Sequence, residues 1–429
     1  MKKIFLLLIS SIVLFANETN NLVNLSLDLR AVYVNYDYDK GFTDAEAFAT
    51  SLKLKYEHEL ASGLKAGVAF GTVQDLNFIN NDPSKRTMTY MFDKERESFS
   101  LLHQAYLRYQ YSKSSIELGI FELETPLISS DDYFVLSNSF QGIHADIGEL
   151  DNYTFRLGYL SHMSGAWDSA YDGGAYESMT KQVLAHRADI GSESYYNLVN
   201  DLGVDDAGVA FIGVKYTNNS LKLQFYDHMF IDAYNSLFGQ VDYIFNIGED
   251  KELLVAGQYI KYDGIGALKN NSNPDAVVDY ATYSTKAQLS SNMWKLKLAY
   301  TGVTDTPSIH FFGTAGGYPE FASGMIVSYF ETSLRDANIF SITPSLTFGN
   351  EKNAFNLRAR YAYYDLNSDY TKGGYIGDSV NGDSYMHAYG ISAKYTYDKK
   401  LSWSIKLAQR KLEHGDENFL FKTIIKYFF

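Results

Sequence analysis

Cysteine is absent from the 429 residues, which removes thiol nucleophiles, disulfides and cysteine-based metal sites. Proline is scarce, with 6 residues in the whole chain. Beyond the N-terminus no apolar run approaches the roughly 18 to 20 residues that a spanning helix needs, so a helical membrane protein is excluded. Positive charge is not in excess either. The formal net charge is −14, which sets nucleic acid aside as a partner. No blade- or rung-length motif recurs, and that removes β-propellers and β-helices.

What the chain has in quantity is tyrosine, at 36 residues, and phenylalanine, at 28. Aromatic side chains favour strands, and in barrels they gather where membrane meets water. The N-terminal stretch MKKIFLLLISSIVLFA places Lys2 and Lys3 before an apolar run and a small residue at Ala16. This is the layout of a secretory signal peptide, with cleavage expected after Ala16. Loss of Lys2 and Lys3 takes the net charge from −14 to −16.

From Asn17 onward, segments of about ten alternating residues recur, separated by connections that are alternately short and long. The last, Phe419–Phe429, carries Phe419, Phe421, Thr423, Ile425, Tyr427 and Phe429 on one face and Lys422 and Lys426 on the other. In water such a strand would be a poorly protected sheet edge. In a closed barrel its greasy face meets acyl chains and its terminal aromatics lie at headgroup level. About 18 strands can be placed, among them Phe99–Tyr111, Tyr234–Asn246 and Ser384–Tyr397, with Ser323–Glu331 left inside a loop. The fold class expected is all-β: a transmembrane antiparallel β-barrel of about 18 strands with long outer loops and short periplasmic turns. Residues 17–429 then form one outer-membrane domain of a Gram-negative bacterium, with membrane lipid as its surroundings.

A barrel of this size leaves a lumen that side chains alone do not fill. Assigning each strand's apolar side to lipid turns Arg30, Lys53, Lys55, Arg108, Arg156, Lys222, Lys295, Lys297, Arg358, Arg360, Lys406 and Arg410 inward. Lys215, Lys286, Lys394, Lys422 and Lys426 fall on the same side. Inward acids are fewer, Asp28, Glu57, Glu117 and Asp242 being the clearest. An acidic chain thus encloses a basic path, which favours anions and solutes with a carboxylate or phosphate. The acid pairs Asp131–Asp132 and Asp205–Asp206 supply hard oxygens, but no calcium-loop spacing accompanies them, and no cofactor is expected.

The run TPLISSDDYFVLSNSFQG, from Thr125 to Gly142, resembles a strand-to-loop passage of the OprD-like outer-membrane porins, and GGYPEF at Gly316–Phe321 echoes a later loop of that family. The style is that of ε-proteobacterial members. Tyr133 and Phe134 stand where many relatives carry arginine after the paired acid, and Ser137 stands where they have proline. The resemblance implies an 18-stranded barrel, as a monomer or loose homotrimer, with outer loops 124–139 and 303–336 folded into the pore. It assigns Thr125, Pro126, Asp131, Asp132, Tyr133, Phe140 and Gly142 to the constriction. It further implies passive passage of small carboxylate-bearing nutrients such as amino acids, and reading of the last strand, ending at Phe429, by the barrel-assembly machinery.

Three other functions compete. A barrel enzyme would need a catalytic set, and His162 beside Ser164 is the lone candidate, so no enzyme is expected. A general cation-favouring porin and a surface adhesin using the long loop from Ser164 to Asp206 both stay open.

Overall fold

A computed structural model describes residues 24–38, 44–77, 79, 82–87, 91–93, 96–130, 135–164, 176–180, 203–269, 277–308, 310, 315–322, 335–366, 384–413 and 417–429. Alternating side chains and a near absence of proline leave extended backbone as the state that satisfies every segment. The strands are β1 (Leu25–Tyr38), β2 (Ala45–Ala61), β3 (Leu64–Asp75), β4 (Phe99–Tyr111), β5 (Ser114–Phe121), β6 (Ser139–Ile147) and β7 (Tyr153–Ser164). They continue with β8 (Glu177–Ser178), β9 (Val209–Thr217), β10 (Leu221–Phe230), β11 (Tyr234–Asn246), β12 (Glu252–Gly264) and β13 (Asp279–Ser290). The last are β14 (Trp294–Val303), β15 (Asn338–Gly349), β16 (Asn353–Leu366), β17 (Ser384–Tyr397), β18 (Leu401–Leu412) and β19 (Glu417–Phe428).

All belong to one 19-stranded sheet. The two-residue β8 is a spur on the end of β7, and β7 pairs directly with β9, so the wall itself has 18 antiparallel strands. It closes between β1 and β19, from Asp28 opposite Phe428 to Tyr38 opposite Asn418. Leu27 and Phe429 exchange backbone hydrogen bonds of 3.1 and 2.9 Å, so the terminal phenylalanine belongs to the seam. Closure satisfies both edges, which is what allows a sheet to span lipid.

Eight connections of two to five residues lie at one end of the barrel; the other end carries the long loops together with two short connections, 231–233 and 413–416. The outer surface is apolar: Leu107, Leu118, Ile212, Leu298, Ile391 and Ile425 are all exposed there. The aromatics cluster toward its edges, as with Tyr109, Tyr111, Tyr243, Phe245, Tyr395, Tyr397 and Trp403 near the short turns. The buried hydrophobic cluster lies inside, at the long-loop half. There Val32, Val34, Ala47, Val73 and Phe140 pack against Leu123, Leu127, Ile128, Val135 and Leu136 of the β5–β6 loop.

Two bulges interrupt the alternation. One falls at His103, where Phe70 pairs Leu102 but Ala69 pairs Gln104; the other falls at Ser161. The first turns Phe99, Leu101 and His103 inward and then, with parity reversed, Gln104, Tyr106 and Arg108 inward as well.

Candidate functional site: a loop-narrowed lumen

Asp28, Arg30, Lys53, Arg108, Glu117, Asp146 and Arg156 line one internal cavity of about 500 Å³, which fixes the inward face of β1, β2 and β4–β7. Residues paired across a ladder share a face, so the register carries that assignment round the wall.

On β1–β7 the inward cations lie among acids. The Arg30 guanidinium reaches the Asp28 carboxylate at 2.6 Å. Lys53 Nζ is 2.7 Å from Glu122 Oε1. Lys55 lies 3.7 Å from Glu57 and 5.2 Å from the centroid of the Tyr106 ring. Arg156 donates to both Asp146 oxygens, at 2.5 and 2.7 Å, and to the Glu124 carbonyl. Arg108 is paired in register with Glu117. The fixed charges of this wall therefore largely cancel. Sequence reasoning missed three of the acids. Asp146 closes a short strand next to a turn, and Glu122 and Glu124 belong to a loop, where no alternation says which side chains point inward.

On β13–β19 the arrangement differs. One register row runs Lys295, Ser345, Arg358, Ser392, Lys406 and Lys422 across β14 to β19. A neighbouring row holds Lys297, Thr343 and Arg360. Lys286, Lys394, Arg410 and Lys426 share this inner face. No acid occupies an inward position of these seven strands among the described residues. Lys406 stands directly opposite Lys422. Lys222, on β10, is opposite Asp242, and Lys286 approaches that same carboxylate at 3.5 Å.

The β5–β6 loop runs through the lumen between these walls. Thr125 N–H donates to the Ile128 carbonyl at 2.7 Å and Ile128 N–H donates to Thr125 Oγ1 at 3.0 Å, closing a turn around Pro126. Proline's fixed φ suits the bend. Glu124 braces the stem, accepting from Ser129 Oγ at 2.6 Å and Ser130 N–H at 3.1 Å. The turn crosses to β10, where Thr125 Oγ1 meets His228 Nε2 at 3.1 Å. The return segment is held by Ser51, whose hydroxyl donates to the Val135 carbonyl, and by His103, 2.8 Å from the Ser137 carbonyl. Burial alone would raise the Glu122 carboxyl, but the Lys53 ammonium, with hydrogen bonds from Lys53 and Ser137, holds it down at about 2.

The β14–β15 loop meets it. Ser129 N–H donates to Ala315 O at 2.9 Å and Ala315 N–H to Leu127 O at 3.0 Å, bringing the two sequence motifs together. Gly316 adopts φ +88°, and a Cβ on Gly317 would run into the Pro126 and Leu127 backbone, so glycine is required at this crossing. Cations then carry the segment to the far wall. Lys297 Nζ donates to Phe321 O at 3.2 Å, Arg360 donates to Ala322 O, and Lys286 stacks 4.1 Å from the Phe321 ring centroid. Burial pushes the Glu320 carboxyl up to about 7.

Of the expected constriction residues, Thr125 and Pro126 form the turn. Phe140 and Gly142 belong instead to β6, where both face the lumen, because β6 begins at Ser139. Asp131, Asp132 and Tyr133 lie outside the described residues, as do residues 1–23 and Ser323–Glu331. Among the described residues no three His, Asp or Glu side chains cluster as a metal site, and no helix is long and apolar enough to cross a membrane.

A closed barrel with a greasy outside, a charged inside and loops folded through its lumen is a transmembrane channel. Residues 23–335 match the model of the outer membrane porin family OprD. The chain belongs to the OprD family of outer-membrane porins, channel-forming proteins of the Gram-negative outer membrane. Its short turns then face the periplasm and its long loops the exterior. Among solved structures it is similar to Acinetobacter baumannii OccAB3, at 16% identity and TM-score 0.73, covering 94% of this chain and 99% of that one. Pseudomonas aeruginosa OccK9 (OpdG) is similar at 14% identity and TM-score 0.72, over 94% and 97%. OccK8 (OprE) of the same organism is similar at 16% identity and TM-score 0.70, over 95% and 98%. No curated protein sequence matches the chain.

Proposed function

We propose that this porin passes small solutes passively and favours those bearing a carboxylate, with amino-acid-sized nutrients as the class. The observation that carries the reading is the wall β13–β19, where Lys295 and Arg358 stand exposed in one register row with Lys394 exposed on the same face, and where the strands carry no inward acid among the described residues. Fixed cations along a narrow aqueous path raise the local concentration of anions and lower their barrier to passage. The opposite wall, with its charges in pairs, adds hydrogen-bonding partners for a solute's other end and little net field. The loop crossing at Ile128 and Ala315 narrows the lumen between the walls, so a solute passes within reach of both.

A cation-favouring general pore is the second reading. Asp28, Glu117, Glu122 and Asp146 around the 500 Å³ cavity favour it, but each has a cationic neighbour there. The test is swelling of proteoliposomes in isotonic solutes of equal size, one a carboxylate, one an amine and one neutral. Faster entry of the carboxylate is expected; faster entry of the amine would reverse the assignment. We also infer that the closing strand, ending at Phe429, is the element read during membrane assembly. Its hydrogen-bond exchange with Leu27, which closes the barrel, supports that role.

A further inference from the structure

Between the two charged walls lies a third stretch of lumen that the carboxylate reading leaves unused. One register row crosses β10 to β14 as Gln224, Gln240, Gln258, Ser284 and Thr301. Five adjacent strands thus carry uncharged hydrogen-bonding side chains at one level, of which Ser284 and Thr301 are buried and bond each other at 2.8 Å. The row's first two members border a cavity of about 300 Å³ on the other side of the Thr125–Ile128 turn from the 500 Å³ one. Gln224 and Gln240 line it, together with the rings of Phe238, Pro126, Tyr318 and Pro319. That volume falls at the lower end of the roughly 300–1,000 Å³ range of small-molecule sites.

The hydrogen bonds fix how the amides are offered. Gln258 Nε2 donates to Gln240 Oε1 at 3.0 Å and to the Pro319 carbonyl at 2.9 Å. Gln240 Nε2 in turn donates to Asp242 Oδ2 at 2.8 Å, which leaves its second N–H. Gln258 is 6% exposed, and its Oε1 has no partner among the described residues. The Gln224 amide makes no hydrogen bond to another described residue. Half-buried on the cavity wall, the Gln224 amide is open to a solute that carries both donors and acceptors.

Charge is not what this cavity offers. Its charged lining is one lysine, Lys215, which lies over the Tyr226 ring, and one glutamate, Glu124, whose two oxygens are taken by Ser129 and Ser130. Planar amides beside aromatic and proline rings suit a solute that carries both hydroxyls and C–H groups. We propose that this cavity is a second solute subsite, selective for uncharged polyhydroxylated molecules of monosaccharide size. It goes beyond the carboxylate reading and does not depend on it.

Two members of the row hold the β14–β15 loop, Gln258 through the Pro319 carbonyl and Thr301 through the Ala322 N–H; Gln224 has no such duty and is the residue to change. Single-channel current in potassium chloride is recorded with added glucose, and separately with gluconate, which has the same skeleton and a carboxylate. A saturating reduction of current by glucose is expected, and Gln224→Leu should raise the half-blocking concentration about three- to ten-fold, the effect of one lost hydrogen bond. Phe238→Leu should weaken glucose block in the same direction. The proposal is overturned if glucose lowers the current only linearly, as added viscosity does, and Gln224→Leu changes nothing. Loss of the glucose effect with anion preference intact removes this inference alone. A glucose effect in a cation-preferring pore removes the carboxylate reading alone.

Discussion

The lumen has two charged walls built from the same residue types and arranged in opposite ways. On β1–β7, Arg30, Lys53, Lys55 and Arg156 each lie within 4 Å of a carboxylate, three of these acids on strands and one, Glu122, on the pore loop. On β13–β19, Lys295, Arg358 and Lys394 are exposed on the inner face of strands that carry no inward acid among the described residues. A cation beside its counterion organises structure and projects little field; cations in a row project a field and cost stability. A count of inward lysines and arginines therefore overstates the basic path, because only one wall contributes it. The other wall chiefly holds the pore loop in place.

The largest effect should come from reversing charge on the unbalanced wall. Arg358 and Lys295 are both exposed to the lumen and lie in the same row. Arg358→Glu or Lys295→Glu should lower the anion-to-cation permeability ratio about five-fold each, on an interaction of about 1 kcal/mol per exposed charge at close range. Bi-ionic potentials across planar bilayers measure this. The matching change on the balanced wall sharpens the contrast: Lys53→Met with Glu122→Gln removes a pair and should leave selectivity where it was. Lys53→Met alone strands the Glu122 carboxylate and should cost about 1–3 kcal/mol, read from urea unfolding of the detergent-solubilised barrel. An equal loss of selectivity from both walls would erase the distinction drawn between them.

A smaller effect is expected where the walls are bridged. Gly317→Val places side-chain atoms against the Pro126 and Leu127 backbone, which cannot yield cheaply. The strain, about 1–3 kcal/mol, should part the two loops, raising single-channel conductance and adding flicker while the barrel stays folded. Conductance unchanged from the parent would mean that the crossing does not narrow the pore.

The smallest effect is a pH dependence. Burial raises the Glu320 carboxyl to about 7, so the folded state holds its proton more tightly than the unfolded chain does. Its contribution to seating the loop is full below the ordinary carboxylate range, is lost as pH rises toward 7, and is flat above that. Channel noise should therefore grow between pH 5 and 8, and Glu320→Gln should abolish the trend. Glu122 behaves oppositely: its anchoring is intact at neutral pH and fails only as pH falls toward about 2.

The strand plan was readable because lipid and water impose opposite demands on alternate residues, and because turn lengths differ at the two ends of the barrel. Phe99–Tyr111, Tyr234–Asn246 and Ser384–Tyr397 appear in the structure with the bounds the pattern gives. The bulge at His103 was not readable, since nothing in SLLHQAYL marks where two neighbours turn to the same side. The site was legible only in part. Arg30, Lys53 and Arg358 follow from alternation, but the neutralising acids Glu122 and Asp146 come from a loop and a strand end, where periodicity carries no information. The contact between TPLI and AGG joins segments nearly two hundred residues apart in the chain (residues 125–128 and 315–317) and depends on backbone approach, which composition cannot reveal.

The reversal potential of the unmodified channel in a tenfold potassium chloride gradient tests the central claim most directly. A potential displaced toward the chloride equilibrium value is the predicted result, with the unbalanced wall setting the sign. A displacement toward the potassium value would contradict it, and would mean that the acids around Arg30, Lys53 and Arg156 govern what passes.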